Sequence, residues 1–239
     1  KAILLFNSLL SMELNILYED NHLIAVNKRS GDIVQGDKSG DEPLCEKIKV
    51  YLKNTYQKQG NVFCGVIHRL DRPVSGVVLF AKTSKALSRM NALLKEREIH
   101  KYYWGIVKNK PELVEATLIH YLKKNERTNK AIVSKLPKND YLQAELVYKL
   151  LASSDTYHLL EIELKTGRHH QIRAQLSAIN APLKGDIKYG FPRTNSDASI
   201  SLHARLVKFI HPVSGKEITI AAPVPNDNLW QCFEKMILK

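Results

Sequence analysis

Cysteine is scarce in this chain: Cys45, Cys64 and Cys232 are the three in 239 residues. They are odd in number, far apart and form no C-x-x-C pair, so neither a disulfide framework nor a zinc knuckle is expected. A reducing, cytoplasmic compartment fits that usage. Long apolar runs are missing as well, which argues against a membrane span, and residues 2–10 carry no small-residue cleavage signature. No low-complexity tract, internal repeat or convincing linker interrupts the chain. H-E-x-x-H, a P-loop, the G-x-S-x-G elbow and a Cys-His signature are all absent, so the common metalloprotease, nucleotide-hydrolysing and acyl-transfer readings lose their support.

Acidic residues are in deficit. Against 36 Lys plus Arg stand 24 Asp plus Glu, a formal net charge of +12. Such a field raises the encounter rate with nucleic acid or an anionic membrane surface. The 44% hydrophobic and 25% charged fractions are ordinary for a globular protein, and the length suffices for a full core without disulfides or metal.

What is present is concentrated in His68-Arg69-Leu70-Asp71-Arg72-Pro73-Val74-Ser75-Gly76-Val77, a carboxylate set among cations. The runs at residues 62–67 and 77–81 are short, apolar and β-branched, and both read as buried strands. Asp71 therefore projects from a rigid edge, where chemistry usually sits. Residues 23–26 read as another strand, and residues 43–57 as a helix with Leu44, Ile48 and Leu52 on one face. Thr83 or Ser84 can cap a second helix that ends near Arg97. Strands are expected over residues 101–107, 141–150, 157–164, 206–210 and 217–221. A helix from about His170 to Ile179 and a terminal helix capped by Asn226 or Asp227 complete the pattern. The polar stretch 123–140, with Lys123, Lys124, Arg127, Lys130, Lys135 and Lys138, reads as an exposed insertion. Strand runs with interspersed helices and hairpins make the fold α+β.

The His68-Arg69-Leu70-Asp71 segment resembles the HRLD motif of the RluA-type RNA pseudouridine synthases, and further stretches agree in the family's order. They include residues 16–28, Lys101-Tyr102-Tyr103, Thr166-Gly167-Arg168-His169-His170-Gln171-Ile172-Arg173, Pro182-Leu183-Lys184-Gly185-Asp186 with Tyr189-Gly190, Leu202-His203-Ala204 and His211-Pro212. Motifs in fixed order over residues 16–225 are far more specific than one tetrapeptide. The resemblance implies a single catalytic domain, residues 12–239, built on a long, mostly antiparallel mixed sheet with the active cleft across its middle. Met12 is then the expected start and residues 1–11 an N-terminal extension.

The implied activity is isomerisation of uridine to pseudouridine in structured RNA, ribosomal RNA preferred and transfer RNA possible, by a monomer that needs no metal or cofactor. Asp71 matches the family's nucleophile, and Arg173 the cation expected to pair with it and favour its charged form. Tyr103 matches the tyrosine that stacks on the flipped uracil, with its hydroxyl placed to take the C5 proton. Arg69 is the expected wedge replacing lost base stacking, while His68 reads as a loop brace. Arg168, His169 and His170 follow a glycine turn at a helix start, which suits phosphate, and Lys123, Lys124, Arg127 and Lys130 form a candidate RNA-backbone contact. Singly, Asp71 reads as a turn residue, Arg173 as a surface helix charge and Tyr103 as a core aromatic. The chain departs from the family pattern at Val74, Ala174 and Gln175. A non-catalytic RNA-binding protein with the same fold is the rival reading.

Overall fold

The computed structural model describes residues 14–238, so the expected extension lies outside the described residues. In chain order the elements are β1 (Ile16–Glu19), β2 (Leu23–Lys28), α1 (Leu44–Thr55), β3 (Gly65–Val66), β4 (Ser75–Ala81), α2 (Ser84–Glu96) and β5 (His100–Val107). There follow β6 (Glu115–Asn125), β7 (Lys130–Ser134), β8 (Leu142–Ser153), β9 (His158–Leu164), α3 (Gln171–Ala178), β10 (Leu202–Ile210), β11 (Glu217–Ala221) and α4 (Asn228–Ile237). These elements form two compact units, the first ending at Ile99 and including Leu206–Pro223, the second made of His100–Arg205 and the chain from Val224.

In the first unit β2 lies between β1 and β4, both antiparallel to it. Leu23, Ile24, Ala25 and Val26 are all buried, as is β4 from Gly76 onward, which is why these strands read as continuous apolar runs and not as alternating ones. The core joins Leu23, Ala25, Val77 and Leu79 to Met90 of α2 and to Val207, Phe209 and Ile220 of the β10–β11 hairpin. Thr83 caps α2, its Oγ1 accepting the Ala86 N–H at 3.1 Å. Of the expected strand at residues 62–67 only Gly65–Val66 forms. Gly65 pairs with Ala81, the last residue of β4, so residues 62–64 run past the end of their partner.

In the second unit the strand order is β5-β9-β8-β6-β7, with antiparallel ladders throughout. Helix α4, capped by Asp227, buries Trp230 and Phe233 against Trp104, Ile106 and Leu159. Ala174 of α3 packs with Leu122, Ala131, Ala144 and Tyr189. The stretch 123–140 is no loose insertion. Strand β6, unanticipated because its apolar residues Leu118-Ile119 and Tyr121-Leu122 come in adjacent pairs, runs through Lys123 to Asn125, turns over residues 126–129 and returns as β7. The Asn125 Oδ1 closes the turn by accepting the Thr128 N–H at 3.1 Å, and Asn129 takes the left-handed conformation, φ 49°.

Helix α2 ends at Arg97, which sits in the left-handed region with φ 63° and donates its N–H to the Leu93 and Leu94 carbonyls. A side chain there is strained, and glycine relieves the strain at some entropic cost in the unfolded chain. Arg97→Gly should therefore raise stability by about 0.5 kcal/mol in urea unfolding. A loss of stability would mean that the arginine side chain itself contributes more than its backbone costs.

Candidate active site

Asp71 opens a four-residue turn closed by the Val74 N–H on the Asp71 carbonyl at 3.0 Å. The other carbonyls of that turn are taken by the last residue of β2 and the segment after it. Arg72 O accepts from the Gly31 N–H at 2.9 Å and from the Lys28 ammonium at 3.0 Å. Pro73 O accepts from the Ser30 hydroxyl at 3.3 Å, and Val74 O from Lys28 Nζ at 2.6 Å. Lys28 gives its third bond to the Arg29 carbonyl at 2.9 Å, so each of its protons has an acceptor. Its side chain is only 1% exposed. That burial pushes its pKa down to about 8, against smaller upward pulls from Asp32 and Asp71 and a further downward one from Arg72.

The strand pairing explains why the lysine reaches the turn. Lys28 stands opposite Gly76 in the β2–β4 ladder, where φ 113° admits glycine readily and little else. On the upstream side His68 braces the loop, its Nε2 accepting the Leu79 N–H at 3.2 Å. Arg72 pairs with Asp41, and Arg69 is exposed. The carboxylate of Asp71 is half-buried on a main chain whose every carbonyl from Asp71 to Val74 is engaged.

In the second unit Tyr103 lies on β5 opposite Ile162 and is 5% exposed, while Tyr102 pairs with Glu163 and is half-buried. Arg173 is in the first turn of α3 and is 5% exposed, so it is not a surface helix charge. Its Nε donates to Asp186 Oδ2 at 2.7 Å and its Nη2 to Asp186 Oδ1 at 2.9 Å, a side-on bidentate pair, and its guanidinium carbon lies 5.1 Å from the centre of the Tyr189 ring. The Tyr189 hydroxyl accepts from the Ala131 N–H at 2.7 Å and lies 2.9 Å from His170 Nδ1. The hydroxyl thus links the β7 main chain to the His170 ring. The turn ahead of α3 is fixed by Gln171, whose Oε1 accepts from the Thr166 hydroxyl at 2.8 Å and the Arg168 N–H at 2.9 Å.

The chain matches the RNA pseudouridylate synthase family over residues 22–178, well over half its length and inclusive of Asp71, Tyr103 and Arg173. It belongs to that family. Haemophilus ducreyi tRNA pseudouridine synthase C is 34% identical over 92% of this chain and 94% of its own. Ribosomal large subunit pseudouridine synthase D of Xanthomonas campestris is 30% identical over 90% of this chain and 67% of its own. A human RNA pseudouridylate synthase domain-containing protein, number 4 of its series, shares the fold with a TM-score of 0.78 at 20% identity, covering 98% of each chain. The protein is thus an RNA pseudouridine synthase of the RluA type, an isomerase, on a mostly antiparallel mixed sheet with four α-helices among the described residues.

The remaining sequence-predicted residues of the synthase gather around the β6–β7 turn. His169 Nε2 and Lys188 Nζ both approach the Asn129 carbonyl, at 3.5 and 3.4 Å, and His169 stacks on His170 at 3.8 Å between ring centres. His170 is buried. Arg168 is exposed and its Nε donates to the Gln143 carbonyl at 3.0 Å. Lys123, Lys124, Arg127 and Lys130 are all exposed, with Asp140 3.5 Å from Lys123 and Glu126 2.7 Å from Lys124. Exposed pairs of that kind are worth little, so the patch remains basic. Among the described residues no helix is long and apolar enough to cross a membrane, and no group of three or more His, Cys, Asp or Glu side chains could hold a metal ion.

Sequence reasoning assigned no role to Lys28, Asp186 or Tyr189, although all three lie in stretches that matched the family. A buried charge with main-chain partners leaves no periodic signal; the available cue was a charged residue directly ending an apolar strand, as Lys28 does.

Lys28→Met leaves main-chain acceptors without their ammonium and should cost about 2–4 kcal/mol in chemical denaturation. The deficit should also depend on pH. Folded Lys28 releases its proton near pH 8 and an unfolded lysine near 10.5, so between these values the unfolded chain binds more protons and the wild type gains stability as pH rises. Below pH 8 both states are charged and the contribution is flat. The gap between wild type and Lys28→Met should widen above pH 8; a gap that stays flat or narrows would show that burial does not depress the ammonium.

Proposed function

We propose that this synthase isomerises specific uridines in structured RNA, with ribosomal RNA as the preferred substrate, using Asp71 as its nucleophile. The reaction breaks the N-glycosidic bond, turns the uracil and rejoins it to the ribose through C5, whose proton then leaves. No redox equivalent enters and no atom is added net. A carboxylate can hold the intermediate while the base turns, and a proton acceptor then restores the aromatic ring. Tyr103 stacks on the extruded uracil and takes the C5 proton. Arg173 supplies the cation that keeps the nucleophile ionised, and Arg69 fills the stack that the uridine vacates, at a cost to the RNA of a few kcal/mol.

The observation that carries this reading is the Asp71 turn, whose main chain is fixed on all four carbonyls. A binding protein gains nothing from a rigidly aimed carboxylate, which repels phosphate, whereas a nucleophile gains rate from being held. Relatives named for ribosomal and for transfer RNA are about equally similar, so the ribosomal choice rests on the basic surface and on the greater extent of structured RNA in the ribosome. The scattered cysteines support a cytoplasmic protein, and we read it as acting alone, as a monomer.

Tritium release from RNA carrying 5-tritiated uridine tests the assignment. Asp71→Asn should lower release by at least about a thousandfold while RNA affinity stays within a few-fold; release at an appreciable rate would remove Asp71 from the nucleophile's role. Ribosomal RNA fragments should outperform transfer RNA, and the reverse ranking would overturn the substrate preference. Replacing Lys123, Lys124, Arg127 and Lys130 by glutamine should flatten the slope of log affinity against log salt by up to about 3.6, as each lost phosphate contact removes roughly 0.7–0.9. An unchanged slope would leave the β6–β7 turn as a solvated surface only.

A further inference from the structure

Asp186 lies outside every role assigned so far, yet it is 1% exposed, charged, and the partner of a residue placed in the reaction. Its backbone is held as tightly as its side chain. Leu183 bridges Val107, the Lys184 N–H donates to the Ile106 carbonyl at 2.8 Å, and the Ser201 N–H donates to the Lys184 carbonyl at 2.8 Å. The next residue, Gly185, has φ 86°, and a Cβ there would meet the Ser199 carbonyl at 2.7 Å and the Asn195 amide at 2.8 Å, so the tight turn that delivers Asp186 requires glycine. The Asp186 N–H closes that turn on the Leu183 carbonyl at 3.0 Å, and the Asp186 carbonyl accepts from Tyr189 and Phe191. The segment is therefore stitched to β5, the strand that carries Tyr103, within four residues of that tyrosine.

From β5 the path continues through the Asp186 carboxylate to Arg173 on α3. The carboxylate occupies the Nε–Nη2 edge of the guanidinium, and a planar group held along one edge has its other, Nη1–Nη2 edge aimed in a fixed direction. Tyr189 supports one face of the same plane and is itself tied to α3 by the Ser177 hydroxyl, which donates to the Tyr189 carbonyl at 2.7 Å. Helix α3 thus meets β5 through one charge-assisted fork.

We propose that Asp186 is a positioning residue for the isomerisation: it fixes the Arg173 guanidinium relative to Tyr103 by clamping its Nε–Nη2 edge, so that the opposite edge serves the reaction. This inference rests on the roles proposed above for Arg173 and Tyr103. Asp186 itself touches no reacting atom. Charge alone does not achieve the clamp; the carboxylate must arrive at the length that an aspartate on this turn supplies.

The test compares wild type with Asp186→Asn, Asp186→Glu and Arg173→Lys under single-turnover conditions on tritiated RNA, with RNA affinity measured in parallel. Asp186→Glu keeps the charge and lengthens the arm by one methylene, which spares the fold if Asp186→Asn does not. Both Asp186 variants should lose at least tenfold in maximal rate, with affinity changed less than threefold. In the wild type the Arg173 Nε–H should give a sharp, slowly exchanging NMR cross-peak, assigned by its loss in Arg173→Lys. Asp186→Glu should broaden it or speed its exchange.

A rate for Asp186→Glu within threefold of wild type, or an unchanged cross-peak beside a lowered rate, overturns the positioning role. Loss of affinity with the maximal rate unchanged overturns it as well. If Arg173→Lys is fully active, the reading of Arg173 fails and takes this inference with it. If Arg173→Lys is inactive and both Asp186 variants are active, only the inference fails.

Discussion

The buried ammonium of Lys28 is the interaction on which the Asp71 turn of the first unit depends. Taking a lysine out of water costs several kcal/mol, and its depressed pKa records that cost. The return is geometric. One point charge draws three carbonyls, two of them 44 and 46 residues away in the chain, to a common centre. With Gly31 and Ser30 holding the same turn, the main chain is engaged at each carbonyl from Asp71 to Val74. An apolar residue in place of the lysine would pack against β4 but could not gather carbonyls, and they would have to turn outward to water, taking the turn with them.

The second unit meets a similar demand with the opposite sign. There the cation is the group proposed to act and the anion is its partner. A side-on aspartate and an aromatic face define both the plane and the in-plane rotation of Arg173, two degrees of freedom that a single hydrogen bond would leave open. The hydroxyl of Tyr189 is then consumed by Ala131 and His170, so the ring cannot swing away without breaking a buried chain of hydrogen bonds. In both units the side chain proposed to act stands beside a buried, hydrogen-bonded ionic group.

That division explains what could be read in the sequence. Strands β2 and β4 and helix α2 were legible because burial on both faces leaves continuous apolar runs, and because Thr83 is a cap in sequence as in space. The Glu217–Ala221 strand was anticipated to the residue. The β6–β7 hairpin was not, since its lysines face water and its apolar residues break alternation; it is held by its ladder to β8 and by the Ala131 N–H bond to Tyr189, 58 residues distant. At the site, the motifs named Asp71, Tyr103 and Arg173 but not what holds them. His170 read as a phosphate contact beside a glycine turn, and it is buried with its ring committed to Tyr189. Such commitments depend on long-range pairings that no local pattern encodes.

The supports also separate rate from substrate choice. Lys28 and Asp186 are each 1% exposed and cannot touch RNA from where they stand, so neither can tell one uridine's surroundings from another's. Discrimination has to come from groups that reach solvent, and the proposed RNA contact offers such groups in the exposed Lys123, Lys124, Arg127 and Lys130 of the β6–β7 hairpin. A phosphate contact there reads backbone shape and not base identity. If the hairpin holds RNA as proposed, it favours a fold of the RNA that brings phosphates into register with its charges, and not a base sequence. On the proposed roles, a change of substrate falls to exposed residues such as those of the hairpin, and the rate to the residues that the buried lysine and aspartate support.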